Sequence, residues 1–262
     1  MEIDDPASVA ERAARAGGET AAETFRGRLD VETKENEADL VTQADRAAQR
    51  TVLTELRDAT PDVPIVAEEE DARKDVPADG PAWIVDPIDG TANYVRGIQV
   101  WATSVAAVED GEPIAAANAL PALDDVYVAD RSTARMNGEP MAVSERSNPA
   151  AFAVAIAMWW GFTEGGEYGD TIARLGERFG DLRRLGSAQA TLSLVASGAL
   201  DGAATPIPPN PWDAVAGVQL VRAAGGVVTD VHGDRWTVDS DGLIASNGRA
   251  HERLVEAVGA DD

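Results

Sequence analysis

Cysteine is absent from this chain of 262 residues. Its absence excludes a disulfide framework, metal sites built from thiolates and a cysteine nucleophile, and it is consistent with a reducing cytosol. The first 18 residues are acidic and lack the apolar core of a signal peptide, and no later apolar run reaches the length that spans a bilayer. We therefore expect a soluble, cytoplasmic protein.

Positive charge is scarce. The chain has 22 lysines and arginines against 46 aspartates and glutamates, a formal net charge of −24, and its lysines are Lys34 and Lys74 alone. Such a surface repels nucleic acids and anionic membranes, so we expect neither as a partner. The acids are spread along the whole chain rather than collected in a tail, which favours a solvated coat suited to very salty cytoplasm over a surface that concentrates cations. We therefore hypothesise that the protein comes from a halophile.

Motifs of several large enzyme classes are also missing. The sequence contains no GxSxG elbow, no Walker loop and no GxGxxG after a strand, so serine hydrolase, P-loop and dinucleotide-binding functions lack support. Its two histidines, His232 and His251, have no recognisable ligand spacing and are expected at the surface. No histidine site is therefore predicted.

The apolar pattern predicts an α/β fold in which helices cover β-sheets. Helical spacing indicates amphipathic helices at 7–29 and 44–58, and apolar runs that follow them indicate a sheet covered by helices. A boundary near 145–150 divides the chain into halves at 1–147 and 148–262, which we expect to form one compact unit. The second half alternates strand and helix, as an α/β layer does. Strands are predicted at 65–67, 83–85, 102–108, 114–120, 126–129, 152–157, 227–228 and 243–245, and further helices at 168–179, 188–197, 212–224 and the C-terminus.

The segment WIVDPIDGT, residues 83–91, gathers two carboxylates, a turn and a hydroxyl. Its apolar start predicts a short buried strand with Asp86 at the carboxyl end, the edge where α/β sheets usually place their chemistry. Pro87 is expected to stop the strand. Asp86, the carbonyl of Ile88 and Asp89 could then converge on one point, as a hard cation such as Mg²⁺ requires.

Two short segments offer backbone N–H groups to an anion. Gly90 permits a tight turn, and the N–H groups of Gly90 and Thr91 would lie beside the cation if they open a helix. Gly186, Ser187 and Ala188 open another helix and could present amides to an anion or a ring hydroxyl, although Gly-Ser before a helix is usually only a cap. A phosphate bound by the N–H groups of Gly90 and Thr91 would therefore lie next to the metal.

Three further acids have both a functional and an ordinary interpretation. Glu68 follows the strand 65–67 and occupies the same sheet-end position as Asp86, but it also belongs to an acidic run that could be a solvated loop. Asp213 lies in PWDAVAG, where a carboxylate in the first helical turn is favoured by the helix dipole alone. Asp45, in LVTQAD, lies where an ordinary helix-capping residue is expected. The residues alone leave these alternatives open.

Taken together, LVTQAD, AEEE, WIVDPIDGT, LGSA, PWDAVAG and AAGGVVTD occur in an order that resembles the inositol monophosphatase-like phosphatases along almost the whole chain. The pair DPIDGT and WDxAxG is highly specific. The resemblance implies a layered α/β sandwich, a requirement for two or three Mg²⁺ ions, inhibition by lithium in many members, and a homodimer.

The resemblance also implies roles for individual residues. Metal ligands are expected at Glu68, Asp86, the carbonyl of Ile88, Asp89 and Asp213. Glu68 and Thr91 are expected to position the attacking water, and Asp45 is expected to pair with Thr91 and to help orient or deprotonate that water. Residues that face the substrate are expected at Asp89, Gly90, Thr91, Gly186, Ser187, Ala188 and Asp213.

The implied function is Mg²⁺-dependent hydrolysis of a small sugar or polyol phosphate, such as fructose 1,6-bisphosphate or inositol 1-phosphate. The alternative is a non-catalytic metal-binding or regulatory protein of the same fold. Residues 202–211 lack the acid that contacts ring hydroxyls in inositol-specific members, which makes a sugar phosphate more attractive. Two smaller departures are Ala67, where many members have Gly, and Gln189, where many have Ala.

Overall fold

The computed structural model describes residues 3–27, 31–33, 40–69, 72–157 and 165–259. Two β-sheets dominate these residues, and helices lie on both faces of each sheet. The helices are α1 Pro6–Ala22, α2 Gln43–Ala59, α3 Thr91–Val95, α4 Gly165–Arg178, α5 Ala188–Ala196, α6 Pro211–Ala223 and α7 His251–Val258. The strands are β1 Val31–Thr33, β2 Leu40–Thr42, β3 Ile65–Ala67, β4 Pro81–Asp89, β5 Ala102–Glu109, β6 Glu112–Leu120, β7 Asp125–Ala129, β8 Ala134–Met136, β9 Glu139–Pro140, β10 Ala153–Ile156, β11 Asp181–Arg184, β12 Gly202–Thr205, β13 Val227–Thr229 and β14 Leu243–Ser246.

The first sheet has the order β3-β4-β5-β6-β7-β8-β9, and β3 and β4 run parallel while the later strands form an antiparallel meander. Apolar side chains on one face of this sheet, among them Trp83 and Val105, share a core cluster with Ala10 of α1 and with Val52 and Leu56 of α2. The hairpin between β5 and β6 turns at Asp110 and Gly111, both at positive φ, as a two-residue turn between twisted strands requires.

The second sheet has the order β11-β10-β12-β14-β13, with β10 parallel to both of its neighbours and β14 antiparallel to both of its own. Helices α5 and α6 pack between the two sheets, and α4 and α7 cover the far face of the second one. The layers therefore follow the order helix, sheet, helix, sheet, helix. This arrangement confirms the predicted α/β sandwich of alternating layers.

Two expectations about the elements were wrong, and one buried strand was not predicted. Pro87 does not end its strand, since β4 continues to Asp89 through a register shift between Asp86 and Asp89. A bulge of this kind accommodates a residue without an N–H group at the point where the ladder is interrupted. Helix α1 ends at Ala22 rather than at 29, and residues 28 and 29 lie outside the described part. Residues 202–205, for which no strand was predicted, form β12; its GAAT sequence lacks large β-formers yet is buried at all four positions.

The proposed boundary near residue 147 lies between the two sheets. Strands of the first sheet end at Pro140, and those of the second begin at Ala153. The division into halves stays a prediction, because α5 and α6 contact both sheets and tie the halves together. Among the described helices, none is both long enough and apolar enough to cross a membrane.

Candidate active site

The β4 bulge places two carboxylates of the DPIDGT segment in a buried position. Asp86 is 1% exposed and Asp89 is 6% exposed. Gly90 follows at φ 93°, and a Cβ atom there would lie 3.1 Å from both the carbonyl oxygen of Gly186 and the Cβ of Ser187. Glycine is therefore required at this position for two reasons, the left-handed backbone and the close approach of the 186–187 turn.

Asp213 completes an acidic triad with Asp86 and Asp89. It lies in the first turn of α6, where Pro211 starts the helix, and its carboxylate accepts a hydrogen bond from Asn210 Nδ2 at 3.0 Å. One carboxylate oxygen from each acid lies within 4.8 Å of the others. The triad therefore joins the end of a strand in the first half of the chain to a helix in the second half.

The carboxylate of Asp89 is held at the N-terminus of α5. The hydroxyl of Ser187 donates to Asp89 Oδ2, the N–H of Ala188 donates to Oδ1 at 3.2 Å, and the N–H of Gln189 donates to Oδ2 at 2.8 Å. The Ser187 hydroxyl oxygen also caps the helix by accepting from Ala190 N. Ser187 and Ala188 were predicted to face the substrate. The hydroxyl of Ser187 and the N–H of Ala188 point at Asp89 instead, and direct contact of these residues with a substrate stays a prediction.

Burial and mutual repulsion disfavour ionisation of the triad. Loss of solvation raises the pKa of Asp86 well above its usual range, and the charge of Glu68 adds to this effect. The same causes raise the pKa of Asp213 to about 8. Burial raises the pKa of Asp89 only to about 6, because the three donors around α5 stabilise its ionised form. Three such carboxylates require a compensating positive charge if all are to ionise.

Glu68 lies beside the triad. It follows β3 directly, and its N–H donates to the carbonyl of Val85 at 3.2 Å, one residue before Asp86. Its negative charge contributes to the raised pKa values of all three triad acids. The carbonyl of Glu68 accepts a hydrogen bond from Lys74 Nζ at 2.6 Å, and that ammonium lies 5.3 Å from the centroid of the Trp212 ring.

Thr91 and Asp45 form a hydrogen-bonded pair next to these acids. The Thr91 hydroxyl lies 3.1 Å from Asp45 Oδ1 and 3.0 Å from the carbonyl oxygen of Ile88. Asp45 is fully buried, and its Oδ2 accepts from the N–H and the hydroxyl of Thr42 at 2.8 and 2.6 Å. Thr42 and Asp45 form the capping box of α2. Asp45 therefore both caps this helix and contacts Thr91. Burial raises the pKa of Asp45.

The site fits a hard divalent cation. All the candidate ligand atoms are carboxylate or carbonyl oxygens, which Mg²⁺ prefers. Asp86 Oδ1 is buried and has no hydrogen-bond partner among the described residues. A buried carboxylate oxygen without a donor is costly unless it binds a cation. We therefore assign the triad as a candidate metal centre.

Several residues of this site had no functional signal in the sequence. Asn210 donates to Asp213 from three positions earlier, and Lys74 contacts the Glu68 carbonyl. Asn93 donates from α3 to the carbonyl of Leu185 at 2.7 Å and so holds the turn before α5. Gln189 was noted as a departure from the family, without a function. Each of these contacts joins residues that are distant in sequence or lie outside any motif.

The chain is similar to known phosphatases over nearly its whole length. The model of the inositol monophosphatase family matches residues 3–261. The fructose-1,6-bisphosphatase/inositol-1-monophosphatase of Thermotoga maritima is 38% identical over 234 residues, 88% of each chain. The solved structure of a Thermotoga maritima IMPase superposes with a TM-score of 0.85 and 36% identity over 95% of this chain and 94% of that one. The Nus factor SuhB of Salmonella typhimurium is 31% identical over 255 residues, 95% of this chain and 93% of that one.

Proposed function

Because the chain belongs to the inositol monophosphatase family, we propose that it is a phosphoric monoester hydrolase for small sugar or polyol phosphates. The first candidates are fructose 1,6-bisphosphate and inositol 1-phosphate, since the name of the Thermotoga maritima relative contains both activities. The observation that carries the proposal is the triad of buried Asp86, buried Asp89 and partly buried Asp213 beside the Thr91–Asp45 pair. This combination offers both a cation site and a group that can accept a proton.

Two or three Mg²⁺ ions are proposed as the cofactor. The residues proposed to hold them are Glu68, Asp86, the carbonyl of Ile88, Asp89 and Asp213. When bound, the cations would neutralise charge on the phosphoryl oxygens and lower the pKa of a water molecule so that it can act as nucleophile at neutral pH. They would also reverse the negative field of this acidic chain at the point where an anionic substrate must bind.

The protein's own groups would orient and deprotonate the attacking water. Thr91 Oγ1 donates its hydrogen to Asp45 Oδ1, which leaves the oxygen free to accept a hydrogen bond from water. A proton passed from water to Thr91 would travel on to Asp45, whose raised pKa makes it a stronger base than an exposed aspartate. Glu68 would hold the same water together with Thr91.

The substrate is proposed to lie over the N-terminal turns of α3 and α5. Residues proposed to face it are Asp89, Gly90, Thr91, Gly186, Ser187, Ala188 and Asp213. Residues 202–211 offer no carboxylate to the alcohol, so recognition of ring hydroxyls there would depend on other groups. This favours a sugar phosphate over inositol 1-phosphate.

A regulatory, non-catalytic role is the second candidate, because one relative is named a Nus factor. The retained Thr91–Asp45 pair argues against it, since a protein that only bound metal would need no proton acceptor beside the triad. A halophilic source, a cytoplasmic location and a homodimer are further proposals, which rest on the acidic composition, the absence of cysteine and the family resemblance respectively.

Phosphate release from a panel of sugar and polyol phosphates, with and without Mg²⁺ at molar salt, tests the proposed function. We expect release only with Mg²⁺, and a loss of at least about 100-fold in Asp86→Asn, because a proposed ligand loses its charge. Asp62→Asn, the same change at an exposed position, is the matched control and should retain activity. A wild-type protein that releases no phosphate from any substrate, or an Asp86→Asn variant with full activity, would refute it.

A further inference from the structure

Gln189 contacts Asp89 from the first half of the chain and the helix that carries Asp213 from the second half. It is the second residue of α5 and has no solvent exposure. Its backbone N–H donates to Asp89 Oδ2 at 2.8 Å. The main chain of this residue therefore holds the first of the two carboxylates directly.

The side chain of Gln189 holds the helix that presents Asp213. Its Nε2 donates to the carbonyl of Trp212 at 2.7 Å, and its Oε1 accepts from the N–H of Gly217 at 2.8 Å. These two contacts lie one residue before Asp213 and four residues after it. Only one orientation of the Gln189 side-chain amide matches both partners, since the Trp212 carbonyl needs a donor and the Gly217 N–H needs an acceptor.

Asn118 of β6 fixes the same amide relative to the first sheet. Asn118 Nδ2 lies 3.1 Å from Gln189 Oε1, 3.2 Å from the Gln189 carbonyl and 2.9 Å from Ser193 Oγ. Asn118 and Ser193 are both fully buried. In such a low-dielectric environment, a connected set of hydrogen bonds restricts the groups that it joins more than apolar packing does.

We propose that Gln189 is a positioning residue that sets the separation of Asp89 and Asp213, and through it the affinity of the acidic triad for its cation. The inference rests on the proposed function of the triad as a Mg²⁺ site. Mg²⁺ demands near-ideal octahedral geometry with oxygens at about 2.0 to 2.1 Å, so small displacements of α5 or α6 should weaken binding. Changes in residues that orient metal ligands typically cost about 10- to 100-fold in affinity or activity.

Mg²⁺ binding to the full chain, measured by titration calorimetry at molar KCl without substrate, tests this role. Gln189→Met keeps the length of the side chain and removes its hydrogen bonds, and we expect it to raise the Kd for Mg²⁺ about 10-fold or more. Gln219→Met is the matched control, because Gln219 is a buried glutamine of α6 that donates to the Asp130 carbonyl instead. It should leave the Kd within about twofold while lowering the melting temperature to a similar extent.

A Kd within twofold of wild type in a folded Gln189→Met variant overturns the proposal, because a merely structural role would change only the melting temperature. If Gln189→Met does not fold, Asn118→Ala decides the question. It weakens the same network from β6 and leaves α5 and α6 unaltered, so we expect a Kd raised about threefold; an unchanged Kd counts against the proposal.

Failure of this inference can be distinguished from failure of the proposed function. A wild-type protein that binds Mg²⁺ but releases no phosphate would refute the function, while the comparison of Kd values still decides the role of Gln189. Phosphate release with an unaltered Kd in Gln189→Met would refute the positioning role alone. A wild-type protein that binds no Mg²⁺ would refute both.

Discussion

At the scale of single residues, the Thr91 hydroxyl is the group whose removal most directly tests the proposed chemistry. It lies 3.1 Å from Asp45 Oδ1, so its oxygen can pass a proton to that carboxylate. We expect Thr91→Val, which keeps the shape and removes the hydroxyl, to lower kcat about 10²- to 10⁴-fold, the usual contribution of general acid–base catalysis. Phosphate release at saturating Mg²⁺ measures this.

Thr91→Ser is the conservative control and should recover most of kcat, because it restores the hydroxyl at the same backbone position. The Kd for Mg²⁺ should change little in both variants, since the valine removes none of the proposed metal ligands. Wild-type kcat in Thr91→Val would show that the Thr91–Asp45 pair serves only to connect α2 to α3.

At the scale of secondary-structure elements, His251 connects α7 to the second sheet, contrary to the expectation that both histidines lie at the surface. It is half-buried, with Nε2 2.9 Å from Thr229 Oγ1 on β13 and Nδ1 2.8 Å from Ser246 Oγ on β14. Burial lowers the pKa of His251 below its ordinary 6.5. His232, by contrast, is exposed as expected.

A lowered pKa in the folded state makes stability depend on pH. Below pH 6.5 the unfolded chain protonates this histidine while the folded protein does not, so the contribution to stability is present above 6.5 and is lost as pH falls through the folded pKa. We expect His251→Gln to reduce the loss of unfolding free energy on acidification. Urea unfolding between about pH 7.5 and 5 at saturating Mg²⁺, where the triad holds no protons, measures this.

His232→Gln is the matched control for the pH experiment. Because His232 is exposed and outside this contact, its replacement should leave the pH dependence of unfolding close to that of wild type. An identical acid response in wild type and His251→Gln would exclude His251 as a source of the acid sensitivity.

At the scale of the whole molecule, assembly of the triad from both halves should make stability depend on Mg²⁺ and pH together. Without a cation, the pKa of about 6 for Asp89 and about 8 for Asp213 means that the folded state keeps protons that the unfolded chain has released. The stabilisation is greatest at acidic pH and is lost as pH rises through these values.

We therefore expect the unfolding free energy of the Mg²⁺-free protein to decrease between about pH 5.5 and 8.5, by up to about 1.4 kcal/mol per pH unit for each proton held. Saturating Mg²⁺ should abolish this decrease, because the cation replaces the protons. Urea unfolding with and without chelator measures the effect, and Asp213→Asn should flatten the Mg²⁺-free profile. Equal stabilisation by Mg²⁺ at both ends of the pH range would contradict it.

The net charge of −24 is also a property of the whole molecule. Repulsion among these charges is screened within about 3 Å at molar salt but extends to about 30 Å at 0.01 M. We expect the far-ultraviolet circular dichroism signal to fall as salt is removed, and to return when salt is restored, even with Mg²⁺ present. A signal unchanged from molar to millimolar salt would refute the halophilic hypothesis.

The amino-acid sequence by itself determined the α/β class and the family, because hydrophobic periodicity and the DPIDGT and WDxAxG motifs are local patterns. The layered arrangement followed from the family resemblance. It also identified the acids that the fold brings together. Asp86 and Asp89 share one strand end, whereas Asp213 was assigned only through the family resemblance, because a carboxylate in the first turn of a helix is also favoured by the helix dipole. It could not determine the bulge that carries β4 past Pro87, because only pairing with β5 makes the extra residues fit.

Only the tertiary structure decided how these acids are held. The N-terminus of α5 receives Asp89, and the Gln189 side chain crosses to α6, through contacts between residues about 20 to 100 positions apart in the chain. The half-burial of His251 and the full burial of the small residues of β12 have the same reason, since their environment comes from distant elements. A sequence motif specifies which groups are present, whereas burial and long-range hydrogen bonds set their distances and pKa values.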